Sequence, residues 1–341
     1  MLSYGIEASV ADILSKAGIQ NVDFQLEPLN AGGNNRVFTV HSGSTKVVLK
    51  WYFHDDSDTR DRLGSEYSFL NHAWSLGLRC IPQPIAKDHI KHLALYEFVE
   101  GQKIEASQVD VNLVQQAANF FAQLNSQKSR DTASALPIAS EACFSVSMHF
   151  SMVEARLERL AQMPIESELD KEAAVFVKSL KKFWQETKAQ LLIGCESLGI
   201  APDVVLPNDG RCLSPSDFGF HNSLLRPDGS VCFIDFEYAG WDDPAKAIGD
   251  FFSHPGVAVP HLEFEPFMAQ VLKPFDRAKQ MAARVRLLEP ISRIKWCCII
   301  MNEFLPDSAR RRNFANPSAD TQSRKRRQLI KAIQLFQTLQ H

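Results

Sequence analysis

With 341 residues, 45% of them hydrophobic and 23% charged, the chain can bury one large core or two lobes, which excludes a disordered or low-complexity polypeptide. Seven cysteines at positions 80, 143, 195, 212, 232, 297 and 298 form no C-x-x-C pair, which speaks against a disulfide framework and for a reducing compartment. The formal net charge of −3 is uneven, because residues 256–341 hold 15 Lys and Arg against 7 Asp and Glu.

The first ten residues carry Glu7 and lack a basic start followed by an apolar run. No stretch comes near the roughly 18 uncharged apolar residues of a membrane span, so a cytoplasmic protein with no transmembrane segment is expected. Residues 3–19 place Ile6, Val10, Ile13, Leu14 and Ala17 at helical spacing before Gly18, which predicts a short helix. The period then changes to that of strands. Residues 24–29, 36–40 and 46–52 are β-rich runs separated by turn-forming segments at 31–35 and 41–44, an antiparallel meander. A helix over 58–76, ended by Gly77, and a strand over 93–98 complete a small sheet carrying one prominent helix. Beyond Gly101 the amphipathic period is helical near 107–127, 142–162, 168–198, 275–304 and 321–339, interrupted by a hairpin around Pro227-Asp228-Gly229. The chain thus reads as an α+β protein of two lobes, residues 1–100 and 101–341, with the larger one mainly helical.

Three groups of residues carry chemistry. Asn30-Ala31-Gly32-Gly33-Asn34-Asn35 lies between two strand-like runs, where glycines let backbone N–H groups approach phosphate oxygens; alone, such a turn is equally an ordinary hairpin. Lys50 ends a half-buried strand beside that turn, and Glu66 sits in the helix that follows, placed to hold an ammonium against phosphates. The strongest signal is Asp217, then Asn222 five residues on, then Asp235 at the end of the apolar run 231–234. One acid serves as a base, and the amide and second acid offer oxygen ligands that suit Mg²⁺. Phosphoryl transfer needs these parts: a phosphate cradle, metal ligands, a base near the acceptor hydroxyl and positive charge.

From about residue 27 to residue 255 these residues resemble the aminoglycoside phosphotransferase and choline kinase family, whose fold is similar to that of protein kinases. The resemblance implies a protein-kinase-like fold and ATP or GTP as phosphoryl donor. It implies that Gly32, Gly33 and Asn34 cover the nucleotide, that Lys50 binds its phosphates with Glu66 as partner, and that Tyr96 to Gly101, including Glu97 and Val99, form the hinge touching the base. Asp217 is implied to deprotonate the acceptor hydroxyl, Asn222 and Asp235 to hold Mg²⁺, and Glu237 to steady the metal. Two departures stand out. Where the family has a histidine two residues before the catalytic aspartate, this chain has Pro215, and where it has the second aspartate of Asp-Pro-x-x-Asp, this chain has Ala247, with Asp250 a turn further on as the expected substitute. His221 reads as a loop residue flanking Asn222.

The acceptor is expected to be neutral or anionic, a sugar or a cell-surface precursor, because a polycationic antibiotic calls for an acidic helical lobe and this lobe's end is basic. Trp296, Asn302 and Glu303 read either as acceptor-side residues or as part of a buried helix. The alternative to an active kinase is a nucleotide-binding pseudokinase acting as scaffold or sensor, motivated by Pro215 and Ala247. The clusters Arg310 to Arg312 and Arg324 to Arg327 lack interleaved aromatic residues, so no specific nucleic-acid partner is expected.

Overall fold

Alternation along the strands decides how the N-terminal half assembles. In the computed structural model, which describes residues 4–19, 23–29, 35–55, 60–306 and 320–339, five antiparallel strands run in the order β1 (Gln25–Leu29), β2 (Arg36–Ser42), β3 (Thr45–Trp51), β5 (Leu93–Glu97) and β4 (Pro84–Asp88). Val47 and Leu49 of β3, with Leu93 and Leu95 of β5, face one side, where they meet Val10, Ile13 and Leu14 of helix α1 (Tyr4–Lys16). The intervening Val48, Ala94 and Tyr96 face the other side, toward Phe69, Leu70 and Ala73 of helix α2 (Arg62–Ser75). Period two therefore sorts each strand between two helices, and puts Lys50 on the α2 side. The sheet carries α1 as well as the one prominent helix expected of it.

The C-terminal half is helical around two small strand pairings. Helices α3 (Val111–Leu124), α4 (Gln127–Thr132), α5 (Val146–Ala161), α6 (Glu168–Ser197), α7 (Pro244–Ser253), α8 (Phe264–Leu272), α9 (Ala278–Ile300) and α10 (Thr321–Gln337) follow in chain order. Asp110, Ser145, Ser167, Asp243 and Asp320 precede α3, α5, α6, α7 and α10, and each accepts a first-turn N–H with its side chain, which fixes where those helices start. Strand β6 (Gln102–Lys103) pairs with the hairpin β8 (Ser223–Leu225) and β9 (Val231–Phe233), and β7 (Cys212–Ser214) pairs antiparallel with β10 (Gly240–Asp242).

These two pairings frame the segment from Pro215 to Asn222. Phe218 inside it is buried against Phe120, Phe233 and Phe251, and Phe236 stacks on Phe69 of α2 at 5.1 Å between ring centroids. One apolar cluster accordingly runs from α2 into the helical half and seats the segment from both sides. Among the described residues no helix is long and apolar enough to cross a membrane. All seven cysteines are free thiols.

Candidate active site

Lys50 is 6% exposed and stands at the centre of a buried charge cluster. Its Nζ lies 2.6 Å from Glu66 Oε2 and 2.5 Å from Asp235 Oδ1. Glu66 is held in turn by the Tyr52 hydroxyl at 2.6 Å and by the backbone N–H of Phe236 at 3.2 Å, so its carboxylate is locked by donors from three elements. Asp235 follows β9 with φ of 68°, a left-handed conformation that aspartate enters more readily than most residues, and this turn aims its side chain back at the lysine. Burial alone would make Lys50 easier to deprotonate, but Asp235, Glu66 and Glu237 outweigh it and hold the ammonium charged well above its ordinary range. Burial pushes Asp235 up to about 7, relieved in part by Lys50 and reinforced by Glu237 and Glu66. The cluster holds more carboxylate than this lysine neutralises.

The segment after β7 brings the other acid and the amide of the sequence pattern beside the backbone that leads into Asp235. Asn222 donates from Nδ2 to the Asp217 carbonyl at 3.0 Å and lies 3.4 Å from Asp217 Oδ2, while the Asn222 carbonyl accepts the N–H of Ile234 at 2.9 Å, next to Asp235. Asp217 Oδ1 faces two imidazoles, with His221 Nε2 at 3.3 Å and His254 Nε2 at 3.6 Å. Burial would raise the Asp217 carboxyl, but His221 and His254 outweigh it and hold the group well below the usual carboxylate range, so it is ionised at neutral pH. Ser216 adopts φ of 66° and donates its N–H to Ser214 Oγ at 2.9 Å, which shapes the turn without a histidine at position 215.

Two residues, one buried and one partly buried, had no signal in the sequence strong enough to single out their roles. Asn35, 6% exposed, donates to Glu237 Oε2 at 2.5 Å and accepts the Phe53 N–H at 3.0 Å, so the residue just before β2 is pinned to the helical half across 202 positions. His254 closes α7 and reaches Asp217 from 37 positions away. Gly32, Gly33 and Asn34 lie outside the described residues. Glu97 is half-buried, and its carboxylate accepts the Gln83 N–H at 3.0 Å; Val99, also half-buried, is in the segment leading from β5 to β6. Asp250 does not touch the loop as a substitute at Ala247 would: its partners are Lys295, Lys246 at 3.6 Å and the Trp296 indole N–H at 3.2 Å.

Lys50 pairs with Asp235, and Asn222 holds Asp217 while its carbonyl accepts the N–H of Ile234 beside Asp235, and the same stretch carries a recognisable identity. The model of the phosphotransferase enzyme family matches residues 25–279, well over half of the chain. The chain belongs to that family. No curated protein matches it. Among solved structures, choline kinase from Cryptosporidium parvum Iowa II is similar at a TM-score of 0.61 and 13% identity, covering 99% of this chain and 96% of that one. Spectinomycin phosphotransferase in complex with ADP and spectinomycin is similar at a TM-score of 0.57 and 16% identity, covering 99% of both chains. An amicoumacin kinase, solved with AMP-PNP, Ca²⁺ and its antibiotic, gives a TM-score of 0.54 at 13% identity, covering 95% and 97%. At these identities the likeness establishes the kinase-like fold.

In this phosphotransferase the helical wall beyond Asp217 is rich in charge, yet each buried acid there has a cation. Asp242 takes Lys246 at 2.6 Å, Asp243 takes Arg284 at 2.6 Å and His149 at 3.1 Å, and Asp250 takes Lys295, while the exposed Glu141 takes Arg156. Trp296 is 8% exposed with its edge against His254, and Glu303 is buried beside Arg324 at 3.2 Å, so both belong to the packed wall. Arg310 to Arg312 lie outside the described residues, and of the second cluster Arg324 and Lys325 are paired internally, Lys325 with Asp170 at 2.9 Å.

Proposed function

We propose that this phosphotransferase is a small-molecule kinase that moves the γ-phosphoryl group of ATP or GTP onto a hydroxyl of a neutral or anionic acceptor, such as a sugar or a cell-surface precursor. The observation that carries the reading is the pairing of Lys50 with Asp235 at the end of β9, whose backbone is bonded through Ile234 to the Asn222 that holds Asp217. In this reading Lys50, fixed by Glu66, faces the α- and β-phosphates, and the turn containing Gly32, Gly33 and Asn34 covers them. The segment with Glu97 and Val99 meets the base and separates a lobe of residues 1–100 from one of 101–341. Asp217 is ionised and takes the proton of the acceptor hydroxyl as it attacks.

Asn222 and Asp235 would hold Mg²⁺. The fit rests on the all-oxygen donor set and on the surplus of carboxylate around Lys50, which a hard divalent cation would neutralise. When bound, the ion supplies charge neutralisation at the phosphate oxygens. The amicoumacin kinase solved with AMP-PNP and Ca²⁺ supports a nucleotide with a divalent cation. The acceptor class follows from the helical wall, where paired acids leave no surplus negative charge to attract a polycation. Free thiols throughout agree with a reducing, cytoplasmic setting.

The test is phosphate transfer from ATP and GTP to a panel of sugars, sugar phosphates, amino alcohols and aminoglycosides, with and without Mg²⁺. Turnover of a neutral or anionic acceptor is expected, and Asp217→Ala should cut kcat/KM by roughly 100-fold or more while nucleotide binding persists. Nucleotide binding without turnover across the panel would instead establish the pseudokinase, and efficient phosphorylation of an aminoglycoside would overturn the acceptor class.

A further inference from the structure

The departures at Pro215 and Ala247 remove two side chains with which the family steadies its catalytic loop, so the carboxylate of Asp217 must be held by something else. The structure offers two stacked imidazoles. The rings of His221 and His254 lie 3.4 Å apart between centroids at an interplanar angle of 8°, and both present Nε2 to the same oxygen, Asp217 Oδ1. We propose that His254 is a positioning residue for Asp217, its Nε2–H directed at Oδ1 across 3.6 Å as a polar contact longer than a hydrogen bond, and that Trp296 and Asp250 hold His254 in place. The inference rests on the reading of Asp217 as the base.

The tautomer follows from a backbone contact. His254 Nδ1 accepts the N–H of Gly256 at 3.0 Å, so the proton of a neutral ring resides on Nε2 and is directed at Asp217. Burial, reinforced by His221, Lys331 and Lys295, pulls the pKa of His254 down to about 3 against the opposing pull of Asp217, and keeps the ring neutral. A neutral donor fixes the carboxylate and leaves its negative charge intact for proton abstraction. With both imidazoles facing Oδ1, the second oxygen, Oδ2, whose neighbour is Asn222 Nδ2 at 3.4 Å, is the one directed to the acceptor hydroxyl in this reading. A metal ion bridging Asp217, His221 and His254 is disfavoured by the same contact, since it would need Nε2 bare and Nδ1 protonated against the Gly256 N–H.

The ring itself is seated from behind. The backbone N–H of His254 donates to the Asp250 carbonyl at 3.0 Å at the end of α7, and Trp296 of α9 sets its edge against the ring at 4.2 Å between centroids and 79°. Trp296 donates its indole N–H to Asp250 at 3.2 Å, and Asp250 is tied to Lys295. Asp250, unable to reach the loop, thereby acts on it through Trp296 and His254.

Two readouts test the proposal and separate its failure from failure of the functional reading. Nitrogen-15 NMR of histidine-labelled full-length protein should show His254 as the neutral Nε2–H tautomer, with an Nε2 resonance that shifts in Asp217→Asn and is unmoved by EDTA; neither result depends on turnover. A Nδ1–H tautomer, or an Nε2 signal indifferent to Asp217→Asn or displaced by EDTA, would overturn it. In Mg-ATP hydrolysis by water, which needs no acceptor, His254→Ala should lower kcat by roughly 100-fold with the KM for ATP within about twofold, as expected of a group that only positions the base. His254→Gln, which keeps a donor, should recover part of the loss, and Trp296→Phe, which lacks the indole N–H, should lose part of the rate. Wild-type kcat in His254→Ala would refute the role. Should the wild-type protein hydrolyse no ATP in water, the same variants are compared in transfer to the acceptor that the panel identifies, and should that panel show no turnover the functional reading falls and the NMR result alone decides whether the imidazole holds the carboxylate.

Discussion

Asp243 shows what a buried acid in this molecule depends on. It is 1% exposed, caps α7 through the Ala245 N–H at 2.8 Å, and faces Arg284 at 2.6 Å and His149 at 3.1 Å. Burial pushes its carboxyl up, but His149 and Arg284 outweigh that and bring it down to about 2. An unfolded aspartate titrates near 3.9, so the folded pKa is depressed and the stabilisation, on the order of 2 kcal/mol, is present above about pH 4 and is lost as pH falls toward 2. Asp243→Asn is expected to lower stability at pH 7 by about 3 to 5 kcal/mol, because it leaves Arg284 buried without its partner. It should also flatten the loss of stability between pH 4 and 2 relative to wild type; urea unfolding across that range checks both outcomes.

At the scale of elements, the sequence shows most where a pattern is local. The amphipathic run at 168–198 is α6 at Glu168–Ser197, and of the spaced set Asp217, Asn222 and Asp235 the first two side chains stand together while the Asn222 carbonyl accepts the N–H of Ile234 beside the third. What the sequence hides is set by distance or by shortness. Helix α7 is only 10 residues long and α4 and α8 only 6 and 9, too few turns for a period to stand out in the chain. His254 and Asn35 acquire their partners only when α7 and β2 have packed, and nothing beside them in the chain marks them out. Gly240 in β10 is a further case, visible only from its neighbour: a Cβ there would stand 2.3 Å from the Pro137 carbonyl oxygen and 2.6 Å from the Ala139 nitrogen. That backbone cannot easily withdraw, since Trp241 N–H donates to Pro137 at 2.9 Å and Ala139 N–H donates to Trp241 at 3.0 Å. Gly240→Ala is expected to cost about 1 to 3 kcal/mol and to lower the thermal midpoint by several degrees, which a calorimetric scan measures.

The whole molecule behaves as the continuity of its core dictates. The sheet and the helical half are joined by Lys50 with Asp235, by Phe69 on Phe236, and by the Phe233 N–H donating to the Cys80 carbonyl at 2.8 Å, so the candidate active site is itself part of the join. At the far end α10 is built into the same apolar cluster. Phe336 sets its ring edge-on to Phe176 at 5.7 Å and to Phe183 at 5.3 Å, Leu329 and Ala332 are buried beside it, and Lys325 and Arg324 reach Asp170 and Glu303. The basic terminal helix is therefore a structural member that uses its charge internally as well as displaying it. Truncating Phe336 to Ala removes a large buried ring and should cost about 3 to 5 kcal/mol. Because α6 and α9 share that contact surface, the loss should appear as one shifted cooperative transition in urea, with far-ultraviolet circular dichroism and tryptophan fluorescence moving together. A small early step seen by one probe, ahead of an unshifted main transition, would mean instead that α10 melts alone and that the core ends at α9.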